Sequence, residues 1–151
     1  MSSWIEMARR AEHKAELFAE LPKHPFEDAL RMKGQAGIYA LFEGGLPVYV
    51  GRTRNLAGRF RAHVTDSHNS ASFALKRTRE IHGLSATYKA EGSRQHLVSS
   101  SPTRETFLRE IEKIRMMEFQ FSEITDPIDQ YLLELALTLH YELPLDGFDS
   151  H

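Results

Sequence analysis

Gly37-Ile-Tyr-Ala-Leu-Phe-Glu-Gly-Gly-Leu-Pro-Val-Tyr-Val-Gly51 is the stretch on which the fold of this chain turns. Two β-rich runs, Ala36 to Phe42 and Leu46 to Gly51, flank Glu43-Gly44-Gly45, which is the pattern of a β-hairpin. A three-residue loop with one glycine in the left-handed region pairs Phe42 with Leu46, and counting outward sets Tyr39 directly opposite Tyr49. Opposed side chains share a face of the sheet, with Cβ atoms about 4.5–5.5 Å apart. Gly37 and Gly51, next along that face, are then expected to leave it bare for something to approach. The register decides this, because a two-residue loop would send the two tyrosines to opposite faces. On its own a cross-strand tyrosine pair reads more readily as simple sheet packing.

Outward from the hairpin, Trp4, Ile5, Ala8, Ala11, Ala15 and Phe18 recur at helical spacing, so residues 3–20 read as an amphipathic helix ended by Pro22 and Pro25. A helix follows the hairpin from about Asn55 to Val64, with Thr53 or Asn55 as cap, and another spans about Ala71 to His82. Lys89 to Thr103, with three consecutive serines and Pro102, reads as a loop, and Thr103 to Glu110 begins a further helix. Arg115 to Ser122 alternates apolar and polar residues as a half-buried strand does. Asp126-Pro127 then sets a cap and an N1 proline at the head of a last helix, Ile128 to about Tyr141. The expectation is an α/β (α+β) fold in one domain, a small three-stranded antiparallel sheet flanked by helices.

Two features on the helices could carry chemistry. Arg59 and His63, four residues apart, project from one side of the helix that leaves the second strand, as a solvated face or as a cation beside a titratable ring. Glu134 is the only charged residue in Leu132-Leu-Glu-Leu-Ala-Leu-Thr-Leu139. On a helix apolar nearly all round, such a glutamate must be paired, bind a metal or face a wet cleft. The alternative is an exposed stripe through Gln130, Glu134 and Thr138.

Composition narrows the classes. The 151 residues fit one domain of ordinary globular composition, 41% hydrophobic and 26% charged. The absence of cysteine excludes a disulfide scaffold, a thiolate metal site and a cysteine nucleophile. No apolar run of membrane length and no signal-peptide pattern occurs, so a soluble cytoplasmic protein without a membrane partner is expected. The formal net charge is −2, yet residues 51–80 carry seven basic side chains against two acidic ones, while residues 105–151 carry eleven acidic against three basic. One face can therefore suit a polyanion, or the two surfaces can pair with each other.

Taken in order, these residues resemble the GIY-YIG endonuclease family. Gly37-Ile38-Tyr39 matches the first half of the motif, and Tyr49-Val50-Gly51 the second with Val for Ile. The stretch from Tyr49 through Arg59 to His63 resembles the family's continuation, and Glu134 resembles its metal-binding glutamate, with Pro144 following. Asp146 stands where the family has an Asn, a departure that keeps a polar acceptor and loses an amide donor. The resemblance covers residues 36–146 as a nuclease core, with an insertion around 85–103 and residues 1–35 as an N-terminal helical extension.

The resemblance implies a GIY-YIG-like fold and a DNA endonuclease, a phosphodiester hydrolase using a single Mg²⁺ or Mn²⁺ ion. Tyr39, Tyr49, Arg59, His63 and Glu134 would be its catalytic set, with Glu134 on the metal. Arg52, Arg54, Arg61, Lys76, Arg77 and Arg79 are candidates for contacts to DNA phosphates. A single centre of this kind cuts one strand, so double-strand cleavage would call for a homodimer or a protein partner. The rival reading is a catalytically inactive nuclease-like module that binds DNA or protein, which the Asp146 departure and the acidic C-terminal third would fit. A metal site built on His63 and His68 has no closed ligand spacing to support it.

Overall fold

The structure is a computed structural model that describes residues 3–67, 70–85 and 93–145. Asp146 and His68 lie outside the described residues. The chain falls into two units, Met1–Ala57 with Met117–His151, and Gly58–Met116.

The first unit is built on a mixed arrangement of helices and a four-stranded antiparallel sheet in the order β1-β4-β2-β3. Its elements are helix α1 (Ser3–Ala19), β1 (His24–Pro25), a 3₁₀ turn (Phe26–Arg31), β2 (Gly37–Glu43) and β3 (Leu46–Thr53), then β4 (Glu118–Glu123) and helix α6 (Pro127–His140). The fourth strand corrects the expectation of three. A two-residue strand leaves no alternation to read, and its Pro25 sits at the sheet edge, where a missing N–H is tolerated. β4 starts at Glu118 rather than Arg115, because the preceding helix carries its buried stripe on through Ile114.

The hairpin also differs from the expected register. Gly44 and Gly45, at φ 58° and 84°, form a two-residue turn that pairs Glu43 with Leu46 and Phe42 with Pro47. Left alone, that register would separate the tyrosines. A bulge at Val48 then adds one residue to β3, so that Leu41 pairs with Tyr49 and Tyr39 with Gly51. The bulge restores the parity, and Tyr39 and Tyr49 share a face after all, as diagonal rather than direct neighbours.

Strand alternation sorts the sheet's two faces. Ile38, Ala40, Phe42 and Val50 pack with Ala15 and Phe18 of α1 and Leu133 and Leu137 of α6. Tyr39, Leu41, Tyr49, Phe119 and Phe121 stand on the other face. Gln120 ties the first face to α1, donating to the Ala19 and Leu21 carbonyls at 3.1 and 2.8 Å and accepting from the Tyr141 hydroxyl at 2.6 Å. Asp126 caps α6 by accepting from the Asp129 amide at 3.2 Å, with Pro127 in the first turn.

The second unit holds most of α2 (Leu56–His63), with α3 (Ser72–His82), α4 (Arg94–Ser99) and α5 (Thr103–Arg115). Phe73, Ala74 and Leu75 of α3, Leu97 and Val98 of α4, and Phe107, Ile111 and Ile114 of α5 are its buried apolar residues. Buried Glu110 binds Arg77 at 2.7 Å and Lys113 at 3.0 Å. The stretch expected as a loop carries α4, capped by Ser93 accepting from the His96 amide at 3.2 Å. The serine run that suggests a loop begins only at the last residue of that helix. Among the described residues no helix is long and apolar enough to cross a membrane.

Candidate functional site

The tyrosine pair is the centre of the first unit's candidate site. Tyr39 is fully buried and Tyr49 half-buried, and their rings stack with centroids 5.9 Å apart and planes 28° apart. Gly51 permits this. A Cβ on it would lie 2.6 Å from both Cζ and the hydroxyl oxygen of Tyr39 and 2.9 Å from Cε1 of Tyr49. The space expected to be bare is thus filled by the phenol of Tyr39, whose hydroxyl lies over β3. Gly37 is likewise approached by the chain itself, since a Cβ there would run into the Ser122 carbonyl oxygen.

Glu134 is buried at 1% exposure, together with Gln130 and Thr138, while Ile128, Tyr131, Leu135 and Leu139 of the same helix are exposed. The exposed polar stripe considered for these residues is therefore excluded. Burial of Gln130 and Thr138 is tolerable because their side chains donate to the Ile124 and Glu134 carbonyls, at 2.5 and 2.7 Å. Burial pushes the Glu134 carboxyl up to about 7, against the opposing pull of the Arg52 charge.

Arg52 is held by a residue that sequence reasoning missed. Its guanidinium carbon stands 3.8 Å over the Tyr131 ring, and its Nη2 donates to the Tyr131 hydroxyl at 2.5 Å. Tyr131 lies three residues before Glu134 on α6, so the spacing that makes them neighbours was the available signal. Arg52, expected on a DNA phosphate, is engaged here beside the carboxylate. Arg52 pairs with Ile38 on edge strand β3 and so stands on the face that α6 covers, with Glu134, whereas the Tyr39 and Tyr49 rings stand on the opposite face.

In the second unit Arg59 is half-buried and His63 fully buried. Phe60 and Phe73 meet the imidazole edge-on, with centroids 6.1 and 6.3 Å away. Burial, and secondarily the Arg59 charge, drive the His63 pKa well below its ordinary value, so the ring is neutral at neutral pH. The solvated-face reading fails for His63. Of the remaining basic candidates, Arg54 and Arg61 are exposed, Lys76 and Arg79 are half-buried, and Arg77 is committed to Glu110.

No closed cage of three or more His, Cys, Asp or Glu side chains exists among the described residues. A hard cation at this place would have the Glu134 carboxylate as its protein ligand and would need water or phosphate oxygens to complete an octahedron. Comparison with known proteins found no family model, curated protein or solved structure that matches the chain.

Proposed function

We propose that the protein is a GIY-YIG-type endonuclease of the cytoplasm that hydrolyses DNA phosphodiester bonds with one divalent cation. The observation that carries this reading is the stacked Tyr39–Tyr49 pair, which depends on the glycine of the second half-motif and on a bulge that restores its register. In this reading Tyr39 takes the proton of the attacking water and Tyr49 positions the water or the phosphate. A phenol has an ordinary pKa of about 10, so acting near neutrality requires roughly 4 kcal/mol of help for the phenolate. The resemblance gives Arg59 the charge developing on the phosphate and His63 a place in the catalytic set, and neutral His63 is in the protonation state that can accept a proton. Mg²⁺ or Mn²⁺ held by Glu134 would neutralise phosphate charge. Arg52 favours the ionised form of Glu134 that such an ion needs.

One observation favours the second reading, a nuclease-like module that binds DNA or protein without cutting. Tyr39 is fully buried, so a water must be admitted before its hydroxyl can act. Supercoiled plasmid with Mg²⁺ or Mn²⁺ at low salt separates the two. Nicking by the wild type that Glu134→Ala and Tyr39→Phe both abolish supports the nuclease. A wild type that shifts DNA in a gel and never cuts it supports the binding module.

A further inference from the structure

Helix α6 has a second apolar face that the fold leaves in solvent. Gln130, Leu133, Glu134, Leu137 and Thr138 are buried and occupy one side of the helix. On the opposite side Ile128, Leu135 and Leu139 stand between 37% and 56% exposed, with half-buried Leu132 among them. A helix apolar nearly all round is ordinarily covered all round, and a contiguous apolar face in solvent marks an interaction surface.

The spacing names the occupant. Ile128, Leu132, Leu135 and Leu139 follow one another at intervals of four, three and four, the seam of a helix that packs lengthwise on another helix. That run of intervals is the same read from either end. An antiparallel second copy of α6 therefore sets Ile128 against Leu139 of the second copy and Leu132 against its Leu135, and the two-fold axis makes each layer twice.

The charges agree with that pairing. Asp129 lies in the first turn of α6 and His140 in the last, and their separation by three turns sets them on one flank of the seam. A two-fold axis between antiparallel helices brings that flank against its own counterpart, so Asp129 comes within a turn of His140 of the second copy. A parallel copy gains no such pair and sets like helix ends together. A lipid surface is the poorer occupant, because α6 has none of the Lys or Arg that a helix lying in a membrane interface carries.

We propose that the outer face of α6 is the two-fold interface of a homodimer, in which Ile128, Leu132, Leu135 and Leu139 pack antiparallel on the same residues of a second copy. The proposal stands apart from the nuclease reading, since none of these side chains is on the buried side that holds Glu134. The seam is one short helix, well below the roughly 20–30 residues a side of a standard interface, so the dimer is a weak one.

The test is sedimentation velocity of the full chain from about 5 to about 300 μM, a range that brackets weak association. The wild type should pass from monomer to dimer across it, and Leu135→Lys and Leu139→Lys should each weaken the dimer by about tenfold or more. Both positions are exposed, so at the lowest concentration the variants should melt like the wild type. If they do not fold, Asp129→Lys carries the test: it should weaken the dimer severalfold, and adding His140→Glu should restore it. The chain has no cysteine, so orientation can be read by cross-linking. An equimolar mixture of the Ile128→Cys and Leu139→Cys chains should form a disulfide-linked pair faster than either chain alone. A wild type monomeric throughout overturns the proposal, as does a dimer that the folded Lys variants leave intact. Faster cross-linking of each Cys variant with itself reports a parallel pairing and overturns it too. A wild type that stays monomeric and binds phosphatidylserine vesicles through Leu135 and Leu139 assigns the face to a lipid surface and overturns the dimer.

Discussion

The phenol of Tyr39 lies across Gly51, its partner on β3, so closely that a Cβ there would stand 2.6 Å from the tyrosine's Cζ and hydroxyl oxygen. Gly51→Ala should therefore cost about 1–3 kcal/mol in denaturant unfolding, the range for forcing an extra carbon into a packed interior. Tyr39→Phe should not relieve it, since Cζ remains. Tyr39→Ala should relieve much of the cost and leave the part due to Cε1 of Tyr49, 2.9 Å from the added Cβ, so a double-mutant cycle reads the Tyr39 contact. Additive effects in that cycle would show that the ring moves off the glycine freely.

The alternation of β2 was legible as far as the faces, and the pairing that results from it was not. Two glycines with positive φ close the turn in two residues, and the extra residue at Val48 undoes the resulting offset. Bulges answer to the twist and packing of the whole sheet, which no local window contains. Pro47, a strand residue with no N–H to give, marked the irregularity. The same limit hid β1, which is defined only by its pairing with β4.

Glu134 makes stability depend on pH in an unusual direction for a carboxylate. Its folded pKa of about 7 exceeds the unfolded value of 4.5, so between these the folded state keeps a proton that the unfolded state has released. Its contribution is full below about pH 4.5, shrinks as pH rises and is gone above about 7, a loss on the order of 3 kcal/mol. Glu134→Gln should remove that decline, so the variant gains on the wild type in unfolding free energy from pH 4.5 to pH 7. Arg52→Ala, which deletes the opposing charge, should extend the decline to higher pH. A pH-independent difference between wild type and Glu134→Gln would show that this carboxyl is ionised throughout.

His63 works in the opposite sense. Its folded pKa lies well below 6.5, so as pH falls through 6.5 the unfolded chain takes up a proton that the buried ring refuses. Stability is present above that pH and lost below it. In an NMR titration through that pH the His63 ring should stay neutral, and a His63 signal that moves there would place the ring in solvent.

What the candidate site owes to residue spacing and what it owes to packing are separable. The Arg59–His63 interval and the isolation of Glu134 could be read off their helices. That His63 is enclosed by Phe60 and Phe73 could not, because Phe73 comes from another helix. Nor could Arg52 be told from Arg77 or Arg79 as a phosphate ligand, since all are arginines in one basic stretch. Their partners differ, and partners are set in three dimensions: Tyr131 for Arg52, Glu110 for Arg77.

Arg77 should accordingly behave as a structural residue. Glu110 is buried at 1% exposure between Arg77 and Lys113. Burial pushes its carboxyl up, but the hydrogen bonds from Lys113 and Arg77 and their charges outweigh that and hold its pKa below the ordinary 4.5. Glu110→Gln leaves the largely buried Arg77 charge uncompensated and should cost about 3–5 kcal/mol in unfolding free energy, while Arg77→Met, which leaves Lys113 on Glu110, should cost less. The pair stabilises above the unfolded pKa near 4.5, and its contribution is lost as pH falls through the lower folded value, so the Glu110→Gln penalty should fade in acid. In binding, a folded Arg77→Met chain should retain the wild-type salt slope for DNA. A reduced slope with unchanged stability would move Arg77 from the ion pair to the phosphate backbone.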